Sequence, residues 1–117
     1  MPGGFADPLA WFIADGALND ALVLGAPVEP LVRTAYAGIP VTVMVNGKPT
    51  TEGSGAMALG GPELALAWLA NHFSARGLTL AAGHVVSTGV VTGLFSANPG
   101  DVVQAEFGPL GQVTARF

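Results

Sequence analysis

The strongest periodic pattern in the chain follows Pro62. Apolar residues recur at helical spacing at Leu64, Leu66, Ala67, Leu69, Ala70 and Phe73, as in a helix that buries one face. Glu63 suits the positive N-terminal end of such a helix, and Arg76-Gly77 supplies a cation and a C-terminal stop. The pattern predicts a helix from Pro62 to about Arg76.

A second helix is predicted near the start of the chain, between Phe5 and Gly25. Asp7 can accept hydrogen bonds from first-turn amides, and Pro8 is tolerated at the first helical position. Apolar residues keep rough helical spacing here, although Gly16 interrupts the pattern. The proline-containing segment Ala26–Pro30 then predicts a loop.

A run rich in β-branched residues follows Pro40 and leads into Asn46-Gly47. This dipeptide is a strong hairpin signal because both residues tolerate a positive φ. We therefore expect a strand, a two-residue turn and a returning strand to about Glu52. A glycine-rich loop is expected from Gly53 to Gly61.

Three later segments have the composition of short strands: Val85–Thr88, Val102–Phe107 and Gln112–Phe117. Turn-forming residues separate them, and residues 103–107 alternate between apolar and polar, which predicts a sheet with one solvated face. The expected fold class is α+β. It consists mostly of strands with one long helix packed on them, in a single domain spanning residues 1–117.

Composition favours a folded domain that associates with other chains. The chain has 117 residues, half of them hydrophobic and only 10% charged, and its formal net charge is -4. A chain this apolar can bury enough surface to fold, but so few polar groups cover its surface poorly. We therefore expect a homo-oligomer or a larger partner.

Charge and cysteine content exclude several classes of site. The four cations, Arg33, Lys48, Arg76 and Arg116, are scattered, which argues against a nucleic-acid partner. The absence of cysteine excludes disulfides, thiolate nucleophiles and cysteine-based metal sites. Neither a secretory signal nor an apolar run of about 20 residues is evident, so no membrane partner and a cytoplasmic location are expected.

Candidate catalytic motifs are few and weak when taken one at a time. Gly53-Ser54-Gly55 loosely matches a dinucleotide-binding fingerprint, but no buried strand precedes it and no acidic residue lies about 20 positions further on, so a plain glycine loop is expected. His72 and His84 lack a second ligand at helical spacing and are expected to be surface histidines. A Ser-His-Asp triad could be assembled from Ser54 or Ser87, a histidine and Asp101, but no local motif marks either serine as a nucleophile.

The acidic residues do not predict a metal site within this chain. No two carboxylates have the i, i+2 spacing that would place both on one face of a strand. Asp101 is expected in a turn and Glu106 on a solvated strand face. The run Ser87–Gly93 has two interpretations: an anion-binding nest of hydroxyls and backbone amides, or a β-turn bounded by glycines.

The order of these glycine and turn motifs resembles that of a known family. The matching positions are Ile13–Ala17, Val23–Gly25, Pro27, Asn46-Gly47, Gly53–Gly55, Leu59-Gly60, Pro62, Ala67–Ala70, Gly77, Leu80, Gly83, Thr88-Gly89, Pro99–Asp101, Gly108, Leu110-Gly111 and Phe117. Together they resemble the C-terminal part of the 2-keto-4-pentenoate hydratase and 4-oxalocrotonate decarboxylase family, within the fumarylacetoacetate hydrolase superfamily. The resemblance covers nearly the whole chain.

The resemblance implies a β-roll of mixed strands with the Pro62–Arg76 helix packed outside, usually in oligomers. It also implies magnesium- or manganese-assisted hydration or decarboxylation of a 2-oxo acid. The family's acidic metal ligands and catalytic lysine precede the part that matches this chain. No metal or cofactor is therefore expected from this chain alone, and Mg or Mn would need ligands from a partner.

Some family positions carry other residues in this chain. Where the family reads Ala-Asp-Asn-Ala-Ser-Ser, this chain has Gly16, Leu18 and Asn19 at the Asn and Ser positions. Val90 stands where the family has a Ser after Thr-Gly. The apolar residues at two of these positions, Leu18 and Val90, favour a more hydrophobic substrate than that of the family.

Two functions from different classes follow. In the first, the chain is a hydratase- or decarboxylase-like lyase or isomerase domain whose site is completed by oligomerisation or by a missing N-terminal half. The expected catalytic residues are Asp15, Thr88 and Thr92, and the expected substrate-binding residues are Gly89, Val90 and Leu18. In the second, it is a non-catalytic half-domain kept for association.

Overall fold

The computed structural model describes residues 21–31 and 35–117. The greater part of the predicted first helix, with Asp15 and Leu18, lies outside these residues. Residues 21–25 have no regular secondary structure, so a helix that reaches Gly25 was a wrong prediction. Leu22, Val23 and Leu24 are exposed there, and the loop predicted at Ala26–Pro30 is confirmed.

Four antiparallel strands form one sheet among the described residues. Strand β1 spans Pro40–Val45, β2 Lys48–Ser54, β3 Val102–Glu106 and β4 Gln112–Arg116. The strand order is β2-β1-β3-β4, and every pairing is antiparallel. The helix α1 spans Pro62–Ala75, and short 3-10 turns lie at Gly55–Met57 and Gly108–Leu110. The α+β class is confirmed.

The predicted hairpin joins β1 to β2. Asn46 and Gly47 have φ angles of 52° and 78°, which are the positive values that a tight two-residue turn requires. The returning strand runs to Ser54, two residues beyond the predicted end at Glu52, since Pro40 pairs with Ser54.

One face of the sheet is apolar and the other polar, as the alternation in residues 103–107 predicted. Val43 pairs with Ala105, and Val41, Val43 and Val103 are buried. On the opposite face Thr42 pairs with Glu106, whose side chain is exposed. Directly paired residues share a face, so the pattern of each strand supports that of its neighbour.

A β-bulge in β2 changes which residues reach the apolar face. Met44 pairs with Pro49, but Val43 pairs with Thr51, which leaves Thr50 as an extra residue. Without the bulge, strand alternation would place Thr51 opposite Thr42 on the polar face. The bulge therefore brings Thr51 onto the face that carries Val43, and Gly53 onto the same face opposite Val41.

The predicted helix is confirmed with one residue fewer at its C-terminal end. Pro62 occupies the first turn, where its missing N–H is no loss, and Glu63 lies beside it. At the other end the Leu78 N–H donates to the Phe73 carbonyl at 2.8 Å, and Gly77 takes a φ of 71°. These features end the helix in the usual left-handed turn.

The packing of α1 differs from the predicted apolar face. Only Ala65 is buried, whereas Leu64, Leu66 and Trp68 are exposed. Ala65, Trp68 and Leu69 instead line a small cavity with residues 86–88, so the helix packs beside that segment. Leu69 and Phe73 are half-buried, so the uncovered apolar surface of α1 within the described residues is that of Leu64, Leu66 and Trp68.

Two predictions about the middle of the chain were wrong. Val85–Thr88 is not a strand, because among the described residues no neighbouring strand supplies ladder hydrogen bonds to it. The nearest pairing is an isolated bridge between Gly53 and Thr92. The stretch 53–61 is not a simple loop either, since Gly53 and Ser54 complete β2 and Gly55–Met57 forms a 3-10 turn.

The described residues contain no helix long and apolar enough to cross a membrane.

Candidate functional site

An open cavity of about 440 Å³ lies against the apolar face of the sheet. Ile39 and Val41 form its floor, and Phe107 and Leu110 come from the connection between β3 and β4. Its remaining lining residues are Tyr36, Gly55, Pro62, Val86, Ser87, Thr88, Gly89 and Val91. Its size and apolar walls suit a small organic molecule.

Close backbone contacts build one wall of the cavity. The Gly55 N–H donates to the Ile39 carbonyl at 3.0 Å, and the Ala56 N–H donates to the Ala37 carbonyl at 2.8 Å. A Cβ atom at Gly55 would lie 1.8 Å from the Tyr36 carbonyl oxygen, so only glycine permits this approach. The Tyr36 hydroxyl accepts a hydrogen bond from the Leu31 N–H at 2.8 Å.

Two of the predicted site residues meet at the polar edge of the cavity. Thr88 and Gly89 both line it, together with Ser87. Gly89 has a φ of 124°, a conformation that favours glycine. A Cβ atom added at Gly89 would lie 3.8 Å from the Ala58 Cβ atom. Among the hydrogen bonds that the described residues make with one another, none has the Thr88 hydroxyl or the Gly89 N–H as its donor.

The other predicted site residues lie elsewhere. The Thr92 hydroxyl donates to the Gly93 carbonyl at 3.1 Å, and Thr92 forms the isolated bridge with Gly53 outside the cavity. Val90 is 59% exposed and does not line the cavity, whereas Val91 does. Asp15 and Leu18 lie outside the described residues. The roles predicted for these four residues stay predictions.

The two histidines occupy surface positions, as predicted. The His72 ring stacks on Trp68 with a centroid distance of 4.9 Å, and His84 accepts a hydrogen bond from the Ala81 N–H through Nδ1. Asp101 lies in a turn, where its carboxylate accepts from the Asn98 N–H and the Asn46 side-chain amide, both at 2.8 Å. These contacts do not form a catalytic triad with Ser87 or Ser54.

Backbone atoms of other segments pack directly against the two glycines of the loose dinucleotide fingerprint. A Cβ atom at Gly53 would lie 1.9 Å from the Val91 carbonyl oxygen, and Gly55 faces Tyr36. Because protein backbone covers these glycines, they do not form an open phosphate cradle.

A divalent metal does not fit the residues that the structure describes. No group of three acidic or imidazole side chains comes together within residues 21–31 and 35–117. The cavity walls contain no carboxylate or imidazole. This part of the chain therefore offers no ligand set for magnesium or manganese, which prefer clustered oxygen ligands.

Sequence reasoning missed Tyr36, Phe107 and Leu110 as cavity residues. Tyr36 precedes the first strand without any local motif, and Phe107 and Leu110 flank a turn. Only the alternation through Phe107 indicated an inward direction for one of the three. Phe107 and Leu110 reach the cavity because β3 pairs with β1, and no local sequence signal encodes that pairing.

The model of the fumarylacetoacetate (FAA) hydrolase C-terminal family matches residues 5–117. The chain belongs to this family. The match extends over the cavity, the Thr88-Gly89 edge and residues 5–20, which the structure does not describe.

Curated proteins that are similar to this chain are named as decarboxylases and hydratases. It is 32% identical over 105 residues to a 4-oxalocrotonate decarboxylase of Pseudomonas putida, covering 90% of this chain and 40% of the relative. It is also 32% identical over 107 residues to a 2-keto-4-pentenoate hydratase of Paraburkholderia xenovorans, with 90% and 39% covered. The chain thus spans well under half the length of these relatives.

Solved structures agree with this assignment. The 4-oxalocrotonate decarboxylase of Pseudomonas putida complexed with magnesium and adipate is similar with a TM-score of 0.65 at 35% identity, over 70% of this chain and 31% of that chain. The calcium and acetate complex gives 0.63 at 37% identity, over 68% and 30%. The fold expected from the family is therefore confirmed.

Proposed function

We propose that this chain forms part of a hydratase- or decarboxylase-type lyase or isomerase site that acts on a 2-oxo acid or a related enolisable substrate. The observation that carries the proposal is the Thr88-Gly89 edge, where a hydroxyl and a backbone N–H that donate to no other described residue belong to residues lining an apolar cavity. The relatives' names support the same chemistry. The site would be completed by oligomerisation or by a partner chain.

The geometry suits stabilisation of an oxyanion. When a proton leaves the carbon next to a 2-oxo group, the electron pair moves onto the oxo oxygen and an enolate forms. The Thr88 hydroxyl and the Gly89 N–H would donate to that oxygen as its charge develops. Val41, Phe107 and Leu110 would hold the carbon chain of the substrate and exclude water around it.

Three further assignments belong to the same proposal. Asp15 would accept the proton or orient a water molecule, and Leu18 would contact an apolar part of the substrate. Thr92 and Val90 do not line the cavity of this chain, so their proposed contacts with the oxyanion and with an apolar part of the substrate would require the site as completed by another chain. Magnesium or manganese, if used, would take its ligands from another chain, since the described residues provide no ligand set.

Native mass spectrometry with 2-oxopentanoate, with and without magnesium, tests the proposal. We expect the chain to bind the acid, and Thr88→Val to weaken binding about fivefold, because one hydrogen bond contributes roughly 1 kcal/mol. Thr114→Val is the matched control, since Thr114 is exposed on β4 and does not line the cavity. Equal binding by wild type and Thr88→Val would contradict the role of Thr88.

Deuterium exchange at C3 of 2-oxopentanoate in D₂O, followed by NMR, tests the acid-base step. Asp15→Asn should slow exchange while binding is retained, because the amide cannot accept the proton. Unchanged exchange would remove Asp15 from this role.

The second candidate is a non-catalytic half-domain that serves association. Its support is the uncovered apolar surface, which includes Leu59 at 70% and Trp68 at 60% exposure. A homo-oligomer that binds neither metal nor 2-oxopentanoate would favour this function over the first.

A further inference from the structure

The segment 88–93 begins with the Thr88-Gly89 edge of the cavity and belongs to none of the strands of the described residues. Its position therefore depends on contacts other than a β-ladder. Gly89 rests against Ala58, with 3.8 Å between the position of an added Cβ and the Ala58 Cβ atom. The other contacts are at the far end of the segment, where it crosses β2.

Thr51 supplies a hydrogen bond at this crossing. The Gly93 N–H donates to the Thr51 Oγ1 at 3.0 Å. Within the described part of the chain, no other side-chain hydrogen bond joins segment 88–93 to the sheet. A Cβ atom at Gly93 would lie 2.7 Å from the same oxygen, which shows how closely the two chains approach.

Gly53 creates the space that the crossing needs. The Val91 carbonyl oxygen would lie 1.9 Å from a Cβ atom at Gly53, so this carbonyl occupies the place of a side chain. Gly53 also forms the isolated bridge with Thr92. Thr51 and Gly53, two residues apart on one strand face, together hold residues 91–93 against the sheet.

The β-bulge at Thr50 places Thr51 and Gly53 on the face of the sheet that residues 91–93 cross. It shifts the register so that Thr51 pairs with Val43 and Gly53 with Val41, on the face where the cavity lies. Bulges commonly redirect side chains near functional sites.

We propose that Thr51 is a positioning residue, which holds the Thr88-Gly89 edge at the cavity through its hydrogen bond to Gly93. The inference rests on the proposed function, because the edge matters only if it binds a substrate oxygen. Thr51 does not touch the substrate in this proposal. By fixing the position of Gly93, the hydrogen bond restricts the backbone back to Thr88, five positions earlier in the chain.

Three variants separate positioning from general stability. Thr51→Val keeps the shape of the side chain but removes the acceptor, whereas Thr51→Ser keeps the acceptor. Thr50→Val is the matched control, since the Thr50 hydroxyl donates only to the nearby Lys48 carbonyl and its side chain is exposed.

The first measurement is hydrogen exchange of the Gly93 amide by NMR. Thr51→Val should speed exchange about fivefold, while Thr51→Ser and Thr50→Val remain near wild type. The amide signals of Thr88 and Gly89 should shift in Thr51→Val alone. Unchanged signals and exchange would overturn the inference.

The second measurement is binding of 2-oxopentanoate to the same variants by native mass spectrometry. We expect a loss of about threefold to fivefold in Thr51→Val, with recovery in Thr51→Ser. Wild-type affinity in Thr51→Val would overturn the inference and leave the proposed function standing. No binding by the wild type would instead overturn the proposed function, and the inference with it.

Discussion

Asp101 connects two turns that are far apart in sequence. Its carboxylate accepts from the Asn98 N–H and from the side-chain amide of Asn46, and the side-chain Oδ1 of Asn46 accepts from the Val102 N–H at 2.9 Å. The Asn98 N–H, followed by the Asn46 amide, holds the pKa of Asp101 below its ordinary value. The charged carboxylate therefore stabilises the junction between the β1-β2 hairpin and the start of β3.

The pH dependence of stability tests this junction. Because the pKa of Asp101 is lower in the folded chain, its stabilisation is present above about pH 3.9 and is lost as the pH falls further through the folded pKa. Asp101→Asn should lower the thermal midpoint at pH 7, and the difference from wild type should shrink toward pH 3. Glu52→Gln, at an exposed position on β2, is the control. A difference that is the same at both pH values would contradict the assignment.

At the scale of elements, β2 and the segment that crosses it depend on the absence of a side chain at Gly53. A Cβ atom there meets the Val91 carbonyl and, at 2.6 Å, the Met57 sulfur. The carbonyl belongs to the backbone and cannot rotate away. Substitution must therefore push residues 91–93 off the sheet or shift β2.

Gly53→Ala should destabilise the fold by roughly 1–3 kcal/mol, the usual cost of overpacking. Gly38→Ala is the matched control, because its Cβ would meet only the Ala35 carbonyl, at 3.8 Å. Urea unfolding of both variants measures the difference. Equal midpoints for the two variants would show that the crossing is looser than the contacts indicate.

Element-scale predictions from sequence succeeded where the signal was local. The Asn46-Gly47 turn requires positive φ at both residues, and the helix after Pro62 combines periodicity with a start and a stop signal. Val85–Thr88 has strand composition, but a strand also needs a partner, and composition does not reveal one. The Thr50 bulge was missed because a single extra residue leaves no mark in the alternation of a polar strand.

At the scale of the whole molecule, a small core contrasts with a large exposed apolar surface. Among the residues that the structure describes, the buried hydrophobic ones are Ile39, Val41, Val43, Ala58, Ala65 and Val103. Several larger side chains are exposed, among them Leu94 at 89%. Apolar surface of this extent favours association with another chain.

Sedimentation velocity tests this expectation. We expect species larger than a monomer at micromolar concentration, because apolar surface is uncovered on both α1 and the segment 85–95. Raising the salt concentration should leave the association intact, whereas contacts between charged groups would weaken by screening. A monomer at all concentrations would contradict association through these surfaces.

The sequence by itself determined the α+β class, the hairpin, the helix that begins at Pro62 and the family. These depend on local periodicity, on turn residues and on the order of glycine motifs along the chain. It also singled out Thr88 and Gly89, through their place in the Ser87–Gly93 run and in the family pattern.

Only the tertiary structure decided that Tyr36, Phe107 and Leu110 share a cavity with Thr88 and Gly89. It also placed Thr51 on the cavity face and left Val90 outside the cavity. The physical reason is that register and crossing contacts are set by pairing between distant segments. Such pairing depends on which surfaces fit each other, and no window of neighbouring residues contains that information.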